Sequence, residues 1–100
     1  VFVEPEKNEV STNDVIFRVQ VETSQSSISL TDIKFKGNTM FEYKQDALYK
    51  YTVGKFINDF DAANEMKKKM REQGFNHAFV VAFFNGERIN LQKAINLAEK

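Results

Sequence analysis

The stretch LYKYTVGKF, residues 48–56, decides how the chain is read. Tyr49, Tyr51 and Val53 alternate with Leu48, Lys50 and Thr52, the pattern of a half-buried strand. Gly54 and Lys55 close it, and a strong helical pattern follows. Strand, Gly-Lys, helix is also how phosphate-binding loops begin. A Walker-type loop needs a glycine five residues before the Gly of Gly-Lys and a Ser or Thr after the Lys. Tyr49 and Phe56 stand at those places, so a nucleotide site is set aside. Gly54 is then expected to bend the strand into the helix, with Phe56 plugging the core beneath it.

That helix is written in NDFDAANEMKKKMREQGF, residues 58–75. Asn58 or Asp59 is placed to cap its first amides, and Asp61 and Glu65 put negative charge near its start. Lys67, Lys68, Lys69 and Arg71 load the other end, where they suit the helix dipole, and Gly74 sits where a left-handed cap belongs. Ala63, Met66 and Met70 form the inward stripe. The basic run therefore reads first as a solvated helix face.

Upstream, VIFRVQVET begins with Val15, Phe17, Val19 and Val21 alternating with Ile16, Arg18, Gln20 and Glu22, a second half-buried strand. SQSSISLTDIKFKGNT holds a compact connection with a helical turn or a short strand, punctuated by Gly37-Asn38. MFEYK is a short strand with Phe41 and Tyr43 facing in and Glu42 and Lys44 out, and QDA turns it into the strand of the opening. HAFVVAFF is the fourth strand, with Phe79, Val81 and Phe83 on the core side. NGE turns, and a last helix spans about residues 90–99, with Leu91, Ile95 and Ala98 on one face. Residues 1–14 read as a polar linker or tail, and residues 15–100 as the domain.

FRVQV at 17–21 and YKYTV at 49–53 match in character. Two β-x-β halves of this kind predict an α+β, ferredoxin-like (split βαβ) fold. It would have a four-stranded antiparallel sheet with helix on one face, a reduced first helix and an extra C-terminal helix. Strand alternation then puts Arg18, Gln20, Glu42, Lys44, Lys50 and Thr52 on the sheet's open face. Long donors and acceptors in that setting suit sugar hydroxyls and amides.

The bulk composition narrows the rest. At 100 residues the chain is one small domain, and ten Phe supply bulky core material. Lys+Arg and Asp+Glu balance at 14 each, so no long-range field collects nucleic acid or acidic membranes. With no Cys there is no disulfide, thiolate metal site or Cys nucleophile. No stretch approaches the roughly 18 apolar residues of a membrane span. The chain starts at Val1 without Met and reads as a piece of a longer protein. His77, the sole histidine, has no recognisable nucleophile to serve and reads as a strand-edge residue. No metal-ligand pattern is present.

FRVQV, LYKYTVGKF, DAANEMKKKMREQGF and AFVVAFF together resemble a SPOR (sporulation-related repeat) domain over about Val15 to Arg88. That family repeats an aromatic-x-Val-Gln-Val-Gly-x-Phe-like strand in two halves. Here VQVETSQSS stands in the first half and no full first helix follows. Such shortened forms resemble the C-terminal modules of N-acetylmuramoyl-L-alanine amidases. The resemblance implies the ferredoxin-like fold and binding of peptidoglycan glycan strands stripped of stem peptides. It also implies a place in the bacterial cell envelope (periplasm), at division sites, and a catalytic parent domain in the same chain. Gln20, Lys50 and Thr52 match the family's strand positions; Arg18, Glu42 and Lys44 come from alternation alone. The zinc ligands of an amidase are not in this chain, so no catalysis, metal or cofactor is expected of it.

Two other functions compete. One is an RNA-binding sheet, since ferredoxin-like folds also make RRMs, which stack bases on exposed aromatics. With the aromatics facing in and the charge neutral, that reading is disfavoured. The other is a protein-interaction module that docks the parent enzyme.

Overall fold

The computed structural model describes residues 14–99. The linker expected over residues 1–14 lies outside them, Asp14 excepted. Five strands and two helices run in the order β1 (Val15–Ser24), β2 (Phe41–Gln45), β3 (Leu48–Ile57), α1 (Phe60–Glu72), β4 (Phe79–Phe84), β5 (Glu87–Ile89) and α2 (Leu91–Ala98). The strands form one antiparallel sheet in the order β2-β3-β1-β4-β5. The protein is thus α+β, with one strand more than the four expected. The added strand follows Asn85-Gly86, whose φ angles of 54° and 82° make a tight hairpin turn.

The helices form where their local signals put them. Asp59 accepts the Ala62 amide at 3.0 Å and starts α1. Its other end closes with Phe75 N–H to the Met70 carbonyl and Gly74 N–H to the Arg71 carbonyl, at 3.0 and 3.1 Å. Gly74 there has φ +108°. Ala63 and Met70 are buried and Met66 packs against the core, as the stripe predicts. Asn90 caps α2 through the Lys93 amide at 3.0 Å. Both helices share one core with Val15, Phe17, Val19, Tyr51 and Val53, so both cover the same side of the sheet. Phe17 meets Phe60 edge-on at 5.7 Å within it.

The connection between β1 and β2 carries a single 3-10 turn, Ile33–Phe35, in place of a helix. Phe35 enters the core and packs on Tyr51 with ring centroids 5.2 Å apart. Lys36 donates through Nζ to the Gln73 carbonyl, and Asn38 donates to the Gln73 side chain at 2.9 Å. The connection therefore straps the C-terminal end of α1.

Two strands face the opposite way from the expectation. The turn after β2 holds two residues, Asp46 and Ala47, with Gln45 paired to Leu48. A three-residue turn would pair Tyr43 with Tyr49, on the core side. The two-residue turn pairs Tyr43 with Lys50 and Glu42 with Tyr51. One residue of register turns every β2 side chain over. Phe41 and Tyr43 thus leave the core, and Glu42 and Lys44 lie on the helix side. In β4, Val80 pairs with Val19 and Ala82 with Phe17, so Ala78, Val80, Ala82 and Phe84 face the helices. Phe79, Val81 and Phe83 face away.

Gly54 does not bend the strand into the helix, because β3 runs on to Ile57. Val19 pairs with Val53 and Phe17 with Phe56, which sets Gly54 and Lys55 together opposite Arg18. This is a β-bulge with its glycine at φ +80°. A second irregularity lies between Gln20 and Glu22 in β1. Alternation in β1 holds to Gln20; beyond it Glu22 pairs with Tyr51, and its carboxylate lies 3.8 Å from Lys34 Nζ.

Candidate functional site

The face without helices is concave. Arg88 on β5 and Gln45 on β2 belong to opposite edges of the sheet, and a flat sheet would hold such strands about 19 Å apart. Arg88 nevertheless donates to the Tyr43 hydroxyl and to Gln45 Oε1, each at 3.1 Å. Tyr43 of β2 also meets Phe83 of β4 edge-on at 5.1 Å. The curl that brings these together closes over Val81, which is 1% exposed although it faces away from the helices. Tyr43 in turn donates to Gln20 Oε1 at 2.7 Å, which ties the crossing to β1. Burial raises the pKa of its phenol, with Arg88 opposing, so it stays a neutral donor.

Beside this crossing lies a groove of about 410 Å³ whose lining includes Ile16, Arg18, Phe41, Thr52, Lys55 and Phe83. The bulge shapes it. Arg18 Nη1 donates to the Gly54 carbonyl at 3.0 Å, and its guanidinium lies 4.6 Å from the Phe41 ring centroid. The half-buried guanidinium is partly stripped of water, which pushes its pKa down from the ordinary value; an arginine still keeps its charge. Phe41 is 43% exposed, and Phe79, farther along the same face, 41%.

Of the six residues expected on this face, four are there. Arg18 lines the groove with donors to spare. Gln20 is buried and spends its amide on Tyr43 and on Thr23 Oγ1 at 3.2 Å. Thr52 is fully buried at the groove floor. Lys50 is half-buried and donates to Gln45 Oε1 at 2.7 Å. Glu42 and Lys44 are on the other side. Lys44 lies over the Tyr49 ring at 5.1 Å. Glu42 Oε2 accepts from the Ser27 and Tyr51 hydroxyls, both at 2.6 Å, while the Tyr51 hydroxyl accepts from the Ile28 amide. That network tethers the β1–β2 connection. Sequence reasoning missed Phe41, Tyr43, Lys55, Phe83 and Arg88. The two-residue turn was the signal that could have found Phe41 and Tyr43, and the Asn85-Gly86 hairpin the one for Arg88; Lys55 and Phe83 had none.

No family model, curated protein or solved structure matches the chain. What the face can bind follows from its own chemistry. Aromatic rings alternate with fixed donors, and Arg18, Lys50, Lys55 and Arg88 give it positive charge. Among the described residues no group of three or more His, Cys, Asp or Glu could hold a metal ion. Among the described residues no helix is long and apolar enough to cross a membrane. His77 is exposed beside Gln20 and Phe79, at a small depression away from the groove.

The Glu42 tether makes stability sensitive to acid. The Ser27 and then the Tyr51 hydroxyl hold its carboxyl below the ordinary 4.5. The unfolded chain therefore binds this proton more readily. The stabilisation is complete above that ordinary value and is lost as pH falls through the lowered one. Glu42→Gln is expected to flatten the acid limb of stability, measured as urea midpoints from about pH 7 to about pH 3. An acid limb as steep as the wild type's would contradict the tether.

Proposed function

We propose that the chain is a non-catalytic module of the SPOR type that binds peptidoglycan glycan strands in the concave face of its sheet. The carrying observation is the groove at the β3 bulge, where Phe41 and Phe83 stand beside the Arg18 and Lys55 cations. An aromatic face takes the apolar side of a sugar ring, and fixed donors take hydroxyls and acetamides. The order β4-β1-β3-β2, with α1 joining β3 to β4, supports the ferredoxin-like reading; β5 extends its β4 edge. On this reading the module works in the bacterial envelope, in the same chain as a cell-wall amidase, and brings that enzyme to its substrate.

The outward aromatics and bases also favour a second reading, single-stranded RNA, which the expected inward facing had argued against. The glycan is preferred on geometry. One side of Phe41 is covered by Arg18, and Tyr43 is held edge-on by Phe83 and latched through its hydroxyl. A short groove results, without a row of open rings for successive bases. The chain's net charge of zero points the same way.

The test is co-sedimentation with purified sacculi. Wild type is expected in the pellet, and Phe41→Ala is expected to weaken binding about tenfold, as an aromatic contact of about 1.5 kcal/mol implies. Wild type left in the supernatant would refute the reading. Binding to single-stranded RNA that falls steeply with salt would replace it with the second.

A further inference from the structure

We infer that the groove is blind, closed at its inner end by the crossing of Arg88 onto Tyr43, and that it takes the terminus of a saccharide chain and not an interior segment. The inference rests on the glycan reading above and names which part of the strand enters the site.

Three observations carry it. First, the crossing is itself a wall of the groove. Tyr43 and Phe83 both line the groove, and they are the rings that meet edge-on at 5.1 Å where the two edges of the sheet come together. Arg88 bolts this wall from β5 by donating to the Tyr43 hydroxyl and to Gln45 Oε1, and Lys50 donates to the same Oε1 at 2.7 Å. The Tyr43 hydroxyl ties the wall down to β1 by donating to Gln20 Oε1. Second, burial deepens toward the wall. Phe41 and Lys55 are exposed, Ile16, Arg18 and Phe83 are half-buried, and Thr52, Gln20 and Val81 are buried. That is the profile of a barrel mouth with a floor, where an open trough would stay exposed along its length. Third, the face resumes beyond Gln20 as a separate depression at His77 and Phe79. Among the described residues it shares no lining residue with the groove.

An interior segment of a polymer continues in both directions and needs two exits. At this groove it can only bridge the rim of Phe41 and Lys55. A terminus needs one exit and reaches past the rim to Arg18. A terminal sugar also carries a hydroxyl that an interior sugar spends on its glycosidic bond. Arg18 uses one of its five N–H donors on the Gly54 carbonyl and can offer another to that hydroxyl.

The experiment uses one preparation of peptide-free glycan strands, divided into a long fraction and a fraction shortened by a hydrolytic muramidase. Titration calorimetry of the full chain reads the number of binding sites per unit mass of glycan. Wild type is expected to find sites in inverse proportion to strand length, so that halving the length doubles them at unchanged affinity per site. Equal sites per unit mass in the two fractions overturn the blind groove and leave the glycan reading standing. Binding of neither fraction overturns both. Tyr43→Ala combined with Arg88→Ala removes the wall, with circular dichroism checking the fold, and the dependence on length is expected to disappear. A dependence kept in full by the folded variant overturns the crossing as the stop. If the variant does not fold, the wild-type measurement decides by itself, because it needs no substitution.

Discussion

Gly54→Val is expected to destabilise the domain by about 2–6 kcal/mol, from two separate penalties. The backbone at Gly54 has φ +80°, which a β-branched residue adopts only under strain, at a cost of about 1–3 kcal/mol. A Cβ there would also stand 2.4 Å from Phe56 Cε2 and 2.9 Å from its Cζ. Phe56 packs against the core and cannot swing clear without opening it, an overpacking cost of about another 1–3 kcal/mol. A domain of this size is stable by about 5–15 kcal/mol, so the variant sits near unfolding. Thermal melts should show it at roughly 4–8 °C per kcal/mol. The two penalties can be separated: in a Phe56→Ala background the steric part vanishes and the φ part stays, so the valine penalty should fall by about half. A loss under about 1 kcal/mol in the otherwise wild-type chain would mean that the bulge is absent. Function should follow stability here, because the same bulge presents Lys55 and the carbonyl that holds Arg18.

Phe35→Ala is expected to cost a further comparable amount, about 3–5 kcal/mol, although the residue sits in a connection. Its ring is 1% exposed and packs on the fully buried Tyr51. The turn that delivers it is well specified. Asp32 accepts the Lys34 amide at 2.9 Å, and Lys36 ends the turn in the left-handed region at φ 56°. Without the ring, the Ile28-Tyr51 and Lys36-Gln73 contacts remain to hold a chain of some sixteen residues between β1 and β2. Native-state hydrogen exchange should therefore show the amides of Ile28, Lys36 and Asn38 losing protection together, ahead of the β1 and β3 amides. Loss of stability by less than about 1 kcal/mol would place the connection outside the core.

The helix α1 was legible in the sequence down to its cap and stripe, because capping and i, i+3, i+7 spacing are local. So was the facing of β3, where lysine and threonine on one side and tyrosines on the other give the period a sign. β4 gave no such sign. AFVVAFF is apolar at every position, so nothing in its period tells the expected inward set of Phe79, Val81 and Phe83 from the opposite one. The structure puts Ala78, Val80 and Ala82 beneath the helices, where small side chains let helix and sheet approach, and sends Phe79 and Phe83 to the concave face. In β2 the error was one residue of turn length, and it carried Glu42 and Lys44 to the wrong side. The candidate site suffered most, since Gln20 and Thr52 were placed on the correct face but are buried there.

By itself the sequence determined the order of the elements apart from β5, the ends of α1, and the inward set of β1 as far as Val19 and of β3 as far as Val53. Each of these depends on residues a few positions apart. Only the tertiary structure decided that α2 covers the same side as α1, that the sheet curls until Arg88 reaches Tyr43, and that aromatics and cations share the uncovered face. The reason is physical. A period of two says that a strand has two faces, but which one is buried depends on what the rest of the chain lays over it.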